Sequence, residues 1–334
     1  MPINRGKWLT PEENSSAQHS QPFLVYYHKK FDSSPRNSRL ALETQPNPIL
    51  EDKRVMTNPV PRFQVAIYFL LSLIIPISAF MIVAFGLVDK KSGGAQAAEI
   101  VAKYGPSLAG LIVALMAGGL AALGRLAKRA LVWNVHIRWY FLALGLPLIL
   151  DDLLPLGLYS VMGGTATIKW TYTISSAYLF APILFRYLFL GGGMGEEFGW
   201  RGYLTSHLQR RYSPLKTALV VGVLWAAWHF PTFWLGHHSG VELAYMHLEK
   251  IVRACALAVV FSWVFNNSRG SVLLVALMHA ATNAFGHTYE LVTQSASPAF
   301  FSDQRILDLL AIACWTAFAV ILAVRRKLET TVAP

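Results

Sequence analysis

The stretch GMGEEFGWRGYL, Gly193–Leu204, sets two adjacent carboxylates and an arginine inside a chain made mostly of long apolar runs. Ionisable side chains are costly in a bilayer, and where they occur they face a bundle interior or a wet cavity. The stretch therefore reads as an interior helix of a membrane bundle. The rest of the sequence agrees. Of 334 residues, 54% are hydrophobic and only 14% charged, where a soluble domain carries about a quarter charged residues. Mean hydropathy is +0.42. A bilayer core of about 30 Å needs about 20 apolar residues per helix, and eight candidate spans are read: 63–88, 104–123, 139–159, 172–190, 217–235, 251–265, 271–286 and 306–324. The stretch 191–212 continues the fourth as a further helix. The expected fold is all-α, a polytopic membrane bundle of about eight transmembrane helices.

Residues 1–62 differ. Their polar, proline-containing, aperiodic segments (NSSAQHSQ, SPRNSR, TQPNPILEDK) bury too little to order themselves, so a disordered cytoplasmic tail is expected. Met56, just before the first span, is an alternative initiator. No apolar core follows a basic start, so the tail does not read as a signal peptide. The net charge of +11 reflects lysine and arginine in loops rather than nucleic-acid binding. RLAKR at 125–129, QRRYSPLK at 209–216, Arg269 and Arg325–Lys327 fall on one side together with Lys53, Arg54 and Arg62. The positive-inside rule then places both termini in the cytoplasm, most naturally across the plasma membrane. Cys255 and Cys314 lie in apolar runs and read as small core residues, not as a disulfide or metal pair.

Within the spans, spacing separates the two glutamates. Glu197 and Arg201 are four apart, share a helix face and can pair. Glu196 is rotated by about 100° and is left without that partner, as suits a general acid or base. The turn at Tyr212–Pro214 ends this helix. Glu196 lies 17 residues before Ser213 and His229 lies 16 after it. In an antiparallel hairpin both then sit about 25 Å along their helices from the turn. His279 and Asn283 share a face one turn apart, with His287 two turns beyond His279. Glu196 with His229 can polarise a water, while His279 and Asn283 can donate to a developing oxyanion. That arrangement suits peptide-bond hydrolysis. Glu196, His229 and His279 could alternatively hold Zn²⁺ with one open position. Trp200, Trp225 and Trp228 read as packing and interface residues, Asp151 and Asp152 as solvated or as a helix end. His237, His238 and His247 fit no standard metal spacing.

EEFGWRGYL at 196–204, WAAWHFP at 225–231 and MHAATN at 278–283 resemble the three motifs of the CPBP family, which holds the type II CAAX prenyl endopeptidases and the bacterial Abi or bacteriocin-processing proteins. YGPSLAGL at 104–111 is similar to a short upstream stretch of that family. The resemblance implies an intramembrane protease domain over 63–327, an eight-helix fold, Glu196 and His229 as the water-activating pair, and His279 and Asn283 as the oxyanion donors. Glu197 and Arg201 are then supporting residues. The family is described both as metalloproteases and as metal-free glutamate proteases, and the sparse ligand set here favours no metal, with Zn²⁺ the alternative. The expected partners are the lipid bilayer and a membrane-associated protein or peptide substrate, CAAX-like or other. A non-enzymatic immunity or binding protein of the Abi type is the alternative. A transporter would show inverted repeats, and none stands out.

Overall fold

A computed structural model of the chain describes residues 62–89, 91–164, 166–170, 180–235, 240–285, 289–293 and 303–328. The expected tail up to residue 61, with Met56, lies outside the described residues, as do His237, His238 and His287. The described elements are helices α1 (Arg62–Ala84), α2 (Gly93–Lys103), α3 (Gly105–Ala130), α4 (Arg138–Val161), α5 (Phe180–Phe189), α6 (192–208), α7 (Pro214–Leu235), α8 (Gly240–Asn267), α9 (Val272–Phe285) and α10 (Asp303–Val324). Strands β1 (Ala166–Trp170) and β2 (Tyr289–Thr293) pair antiparallel, Ala166 opposite Thr293 and Trp170 opposite Tyr289.

The expected helical membrane bundle is thus observed, with a two-stranded ribbon that the apolar periodicity did not announce. Five described helices are long and apolar enough to cross a membrane: Phe63–Ala84, Gly105–Ala130, Arg138–Val161, Pro214–Trp234 and Asp303–Val324. Their outward faces carry large apolar side chains such as Leu70, Leu120, Phe141 and Val320, as a lipid-facing surface requires. The protein is an integral membrane protein. α2 falls between two expected spans. It is short and amphipathic, with Ser92 accepting a hydrogen bond from the Ala95 N–H at its start. Such side-chain caps satisfy an otherwise orphaned amide.

The core lies where α6, α8 and α9 meet. Trp200, Tyr203 and Leu204 of α6, Val260, Phe261, Val264 and Phe265 of α8, and Val272, Val275 and Met278 of α9 are buried. α9 is only 14 residues long, yet it contacts α4, α5, α6 and α8. It is a central strut among these four helices. The chain breaks after α5 and restarts at Gly192, with extended backbone at Gly191. α7 begins at Pro214 after the expected turn, where the fixed φ and missing N–H of proline cost nothing.

Two segments are π-helical: Leu148–Leu153 within α4 and Phe198–Thr205 within α6. Wider turns of this kind are rare and cluster at functional sites. In α6 their carbonyls take side-chain donors: Arg129 Nη1 donates to Gly202 O at 2.6 Å and Ser206 Oγ to Arg201 O at 3.0 Å. α3, which carries Arg129, also fixes the same helix nearer its start. Ser107 Oγ donates to Met194 O at 2.9 Å. Gly199 packs so closely on α3 that a Cβ there would lie 2.2 Å from Pro106 O. The YGPSLAGL stretch is therefore the seat on which the glutamate-bearing helix rests. Gly199→Ala should lower stability by about 1–3 kcal/mol or more, since backbone cannot move aside as a side chain can. Thermal unfolding in detergent would read this as a lowered Tm, and an unchanged Tm would contradict the close packing.

The Asp151–Asp152 pair departs from its expected reading. α4 runs on through both residues to Val161, so they are not a solvated end. Asp151 accepts from Arg253 Nη2 at 2.6 Å and from Trp315 Nε1 at 2.9 Å. The distance from the start of an apolar run does not disclose that a cation from α8 and an indole from α10 meet it.

Candidate active site

Glu196 and Glu197 are both buried at the end of the first turns of α6. They point to different partners, as their rotation about the helix requires. Arg201 Nη1 donates to both oxygens of Glu197, at 2.9 Å to Oε1 and 2.7 Å to Oε2. Neither residue is exposed at all. The Arg201 guanidinium also lies 4.9 Å from the ring centroids of both Trp225 and Phe261, where the π faces attract the cation. The charge is thus met by one carboxylate and sheathed by two aromatic rings.

Glu197 has a second partner. His279 Nδ1 lies 2.7 Å from Glu197 Oε1. A carboxylate can only accept, so Nδ1 carries the proton and the ring is turned by this bond. Glu196 receives instead the indole of Trp225, whose Nε1–H donates to Oε2 at 2.7 Å. Trp225, read from sequence as packing, is a direct partner of the glutamate. An indole N–H in a membrane helix needs an acceptor, and that need was the one available signal.

His229 sits one turn after Trp225 on α7. Its Nδ1 lies 2.8 Å from the Trp225 carbonyl. That oxygen also only accepts, so Nδ1 is again the protonated nitrogen and Nε2 is left free to take a proton. Pro231, inside α7, and Pro76, inside α1, line one cavity with Glu196, Trp228 and His229. This cavity has a volume of about 200 Å³ and is lined mainly by apolar side chains. A second, of about 120 Å³, is lined by His229, His279 and Asn283, together with Lys250 and Arg253. His229 borders both. The two cavities meet at the histidine, with Glu196 on one side and the His279–Asn283 face on the other.

One glycine permits the closest approach. A Cβ at Gly192 would lie 2.6 Å from Glu196 Oε1 and 2.6 Å from His279 Nε2. The unbonded ends of both groups therefore face the same point, over a backbone that has no side chain. Among the described residues, no group of three or more His, Cys, Asp or Glu side chains is arranged to hold a metal ion. His247 instead packs against the rings of Phe230, Phe233 and Trp234.

A bundle of apolar helices enclosing a Glu–His–His–Asn cluster defines a polytopic membrane protein with a polar centre shielded from lipid. Residues 156–285 match the model of the family described as type II CAAX prenyl endopeptidase Rce1-like. Over 108 residues the chain is 31% identical to CAAX prenyl protease 2 of Methanococcus maripaludis, an alignment that covers 31% of this chain and 39% of that relative. The chain thus spans well under half the length of the curated relative that it matches. All three motifs lie inside 156–285, the segment that is similar to this family.

Proposed function

We propose that the chain is an intramembrane endopeptidase that hydrolyses a peptide bond of a membrane-associated protein or peptide, with the protease domain over 63–327. The observation that carries this reading is the meeting of the two cavities at His229, with Glu196 facing one and His279 and Asn283 the other. Glu196 and the free Nε2 of His229 take a proton from water as it attacks the scissile carbonyl. His279, an imidazolium between the Glu196 and Glu197 carboxylates and so protonated on Nε2 as well as Nδ1, donates with Asn283 to the oxyanion, and the proton taken from water passes to the leaving amine. Glu197 acts through His279 and Arg201 rather than on substrate. The apolar cavity suits a lipid-borne substrate, and the name of the archaeal relative makes CAAX-type peptides the first class to try. No step of this reading is routed through a metal; Glu196, His229 and His279 are the ligands of the alternative reading with Zn²⁺. In this reading both termini are cytoplasmic and the membrane is the plasma membrane.

The test is proteolysis by purified protein in liposomes against S-prenylated CAAX-type peptides. Wild type should cleave, His229→Ala should not, and chelator should change neither. Cleavage abolished by chelator and restored by Zn²⁺ would make Glu196, His229 and His279 ligands instead. A folded wild type that cleaves no member of the panel would move the chain to the Abi-type binding or immunity reading.

Trp225 gives a finer test. Trp225→Phe keeps an aromatic ring under Arg201 but removes the donor to Glu196. Turnover should fall about tenfold, the worth of one hydrogen bond to a charged group, while thermal stability changes little. Undiminished turnover would show that the indole does not orient the glutamate.

A further inference from the structure

The turn after α8 and the segment after α10 are bonded together, and both are basic. Asn266, buried near the end of α8, donates from Nδ2 to the Leu328 carbonyl at 2.9 Å, and Asn267 Nδ2 donates to the Lys327 carbonyl at 3.2 Å. Leu328 is itself buried in the core. The connection from α3 to α4 joins them. Ser271 Oγ donates to the Val132 carbonyl at 2.6 Å, and Arg269 Nη1 to the Asn134 carbonyl at 2.9 Å. The stitched surface presents Arg269, Arg325, Arg326 and Lys327. No Asp or Glu occurs in residues 125–138, 266–271 or 325–328, and Glu329, next in the chain, lies outside the described residues.

Two of these cations stand on unusual backbone. α1, α4, α8 and α10 each close with an amide bonded to the carbonyl five residues earlier: Leu87 to Ile82, Gly164 to Tyr159, Gly270 to Phe265 and Lys327 to Leu322. This cap sets left-handed backbone at the residue before the donor. α1 and α4 place Gly86 and Gly163 there, at φ 70° and 87°, whereas α8 and α10 place Arg269 and Arg326, at φ 60° and 49°. Among the described residues these two arginines are the only non-glycine residues with positive φ. A side chain makes that conformation costly, and glycine avoids the cost. Arginine at both positions therefore points to a use for the side chain. Arg269 spends part of its guanidinium on Asn134. Arg326 is exposed and has no hydrogen-bond or ion-pair partner among the described residues. Neighbours give the depth. Arg325 directly follows a helix long and apolar enough to cross a membrane, and Trp133, in the connection stitched to the same turn, is 69% exposed. An exposed indole beside a helix end sits at the level of lipid headgroups.

We propose that this surface binds the headgroup of an anionic phospholipid, its phosphate taken by Arg269, Arg326 and Lys327 and its acyl chains lying on the exposed Val320 and Val324 of α10. Guanidinium N–H groups aimed at phosphate oxygens make strong, charge-assisted hydrogen bonds. A bias of positive loops toward one side of a membrane needs only charge, at any position. Caps and buried asparagine bonds that fix the backbone of the cations make a site. The inference is independent of the peptidase reading.

The experiment titrates the purified full chain, in neutral detergent, with phosphatidylglycerol or phosphatidylcholine. Native mass spectrometry counts retained lipid, and melting curves are recorded on the same samples. Wild type should hold phosphatidylglycerol about 10- to 100-fold more tightly than phosphatidylcholine and should gain Tm with the anionic lipid alone. Arg326→Gln and Lys327→Gln should each lower phosphatidylglycerol affinity about fivefold, the worth of one cation at an anionic surface, and leave phosphatidylcholine unaffected. Arg326→Gly separates binding from structure, because it removes the charge and the backbone strain together. Its Tm without added lipid should hold or rise while phosphatidylglycerol affinity falls. A Tm that drops in lipid-free detergent would make Arg326 a structural residue and overturn the proposal. So would equal affinity of wild type for the two lipids, a comparison that needs no variant to fold. Phosphatidylglycerol affinity unchanged in all three variants places the lipid elsewhere and also overturns it. Stabilisation by inorganic phosphate equal to that by phosphatidylglycerol overturns it in favour of a free anion.

Discussion

Replacing Glu196 by alanine should reduce hydrolysis by about 10²–10⁴-fold, the range that a positioned general base supplies, and should leave the protein folded. The second half of that expectation follows from the contacts. Glu196 accepts one hydrogen bond, from Trp225, and among the described residues no lysine or arginine forms a salt bridge with it. Its removal leaves one indole donor to find another partner, which costs about 1–3 kcal/mol at most. Single-turnover assays on a cleaved peptide, with circular dichroism and a melting curve on the same preparation, would separate the two effects. Substantial residual cleavage would remove Glu196 from the chemistry and leave His229 as the base.

Arg201 carries the second large effect, and it is one of stability. Arg201→Ala strands the Glu197 carboxylate at a site with no exposure. Breaking a buried pair from one side costs about 3–5 kcal/mol, enough to deplete folded protein in the membrane. Glu197→Ala should do the same from the other side and also release the ring of His279, which Glu197 holds at 2.7 Å. The joint replacement of Glu197 and Arg201 by methionine should recover much of the stability lost in either single change, because no uncompensated charge remains. It should not recover turnover, since His279 has lost its orienting carboxylate. Melting temperatures and turnover measured on all three variants give the answer. A double variant that regains both would make the pair purely structural, and a stable Glu197→Ala without activity would give Glu197 a direct chemical part.

The Glu197–Arg201 pairing was legible in the sequence because its geometry is local: a spacing of four on a helix brings two side chains together wherever the helix goes. The level match of Glu196 and His229 was legible for a related reason. A proline turn fixes where the helix hairpin folds, and counting from it gives depth. Trp225 on Glu196 and His279 on Glu197 were not. Both depend on how far α7 and α9 are rotated about their own axes against α6, and rotation is set by packing at positions such as Gly193, close to Ala276 of α9, and Phe261, against Trp225 and His279. The Asp151–Arg253 bridge joins residues 102 apart in the chain, and nothing in either neighbourhood names the other. The ribbon of β1 and β2 was hidden in the same way, by pairing between two connections distant in sequence.

Gly192 has a consequence for how this centre could be switched off. The distance between the Glu196 and His279 heads is held open by nothing but the lack of a side chain below them. A single methyl at residue 192 is a wedge: it would drive apart two groups that each lie 2.6 Å from where it must sit. The strain would pass through the His279–Glu197 and Trp225–Glu196 hydrogen bonds to the Arg201 pair and its aromatic sheath. A chain with alanine here keeps all four polar residues and should lose turnover, so an inventory of motifs would score it as intact.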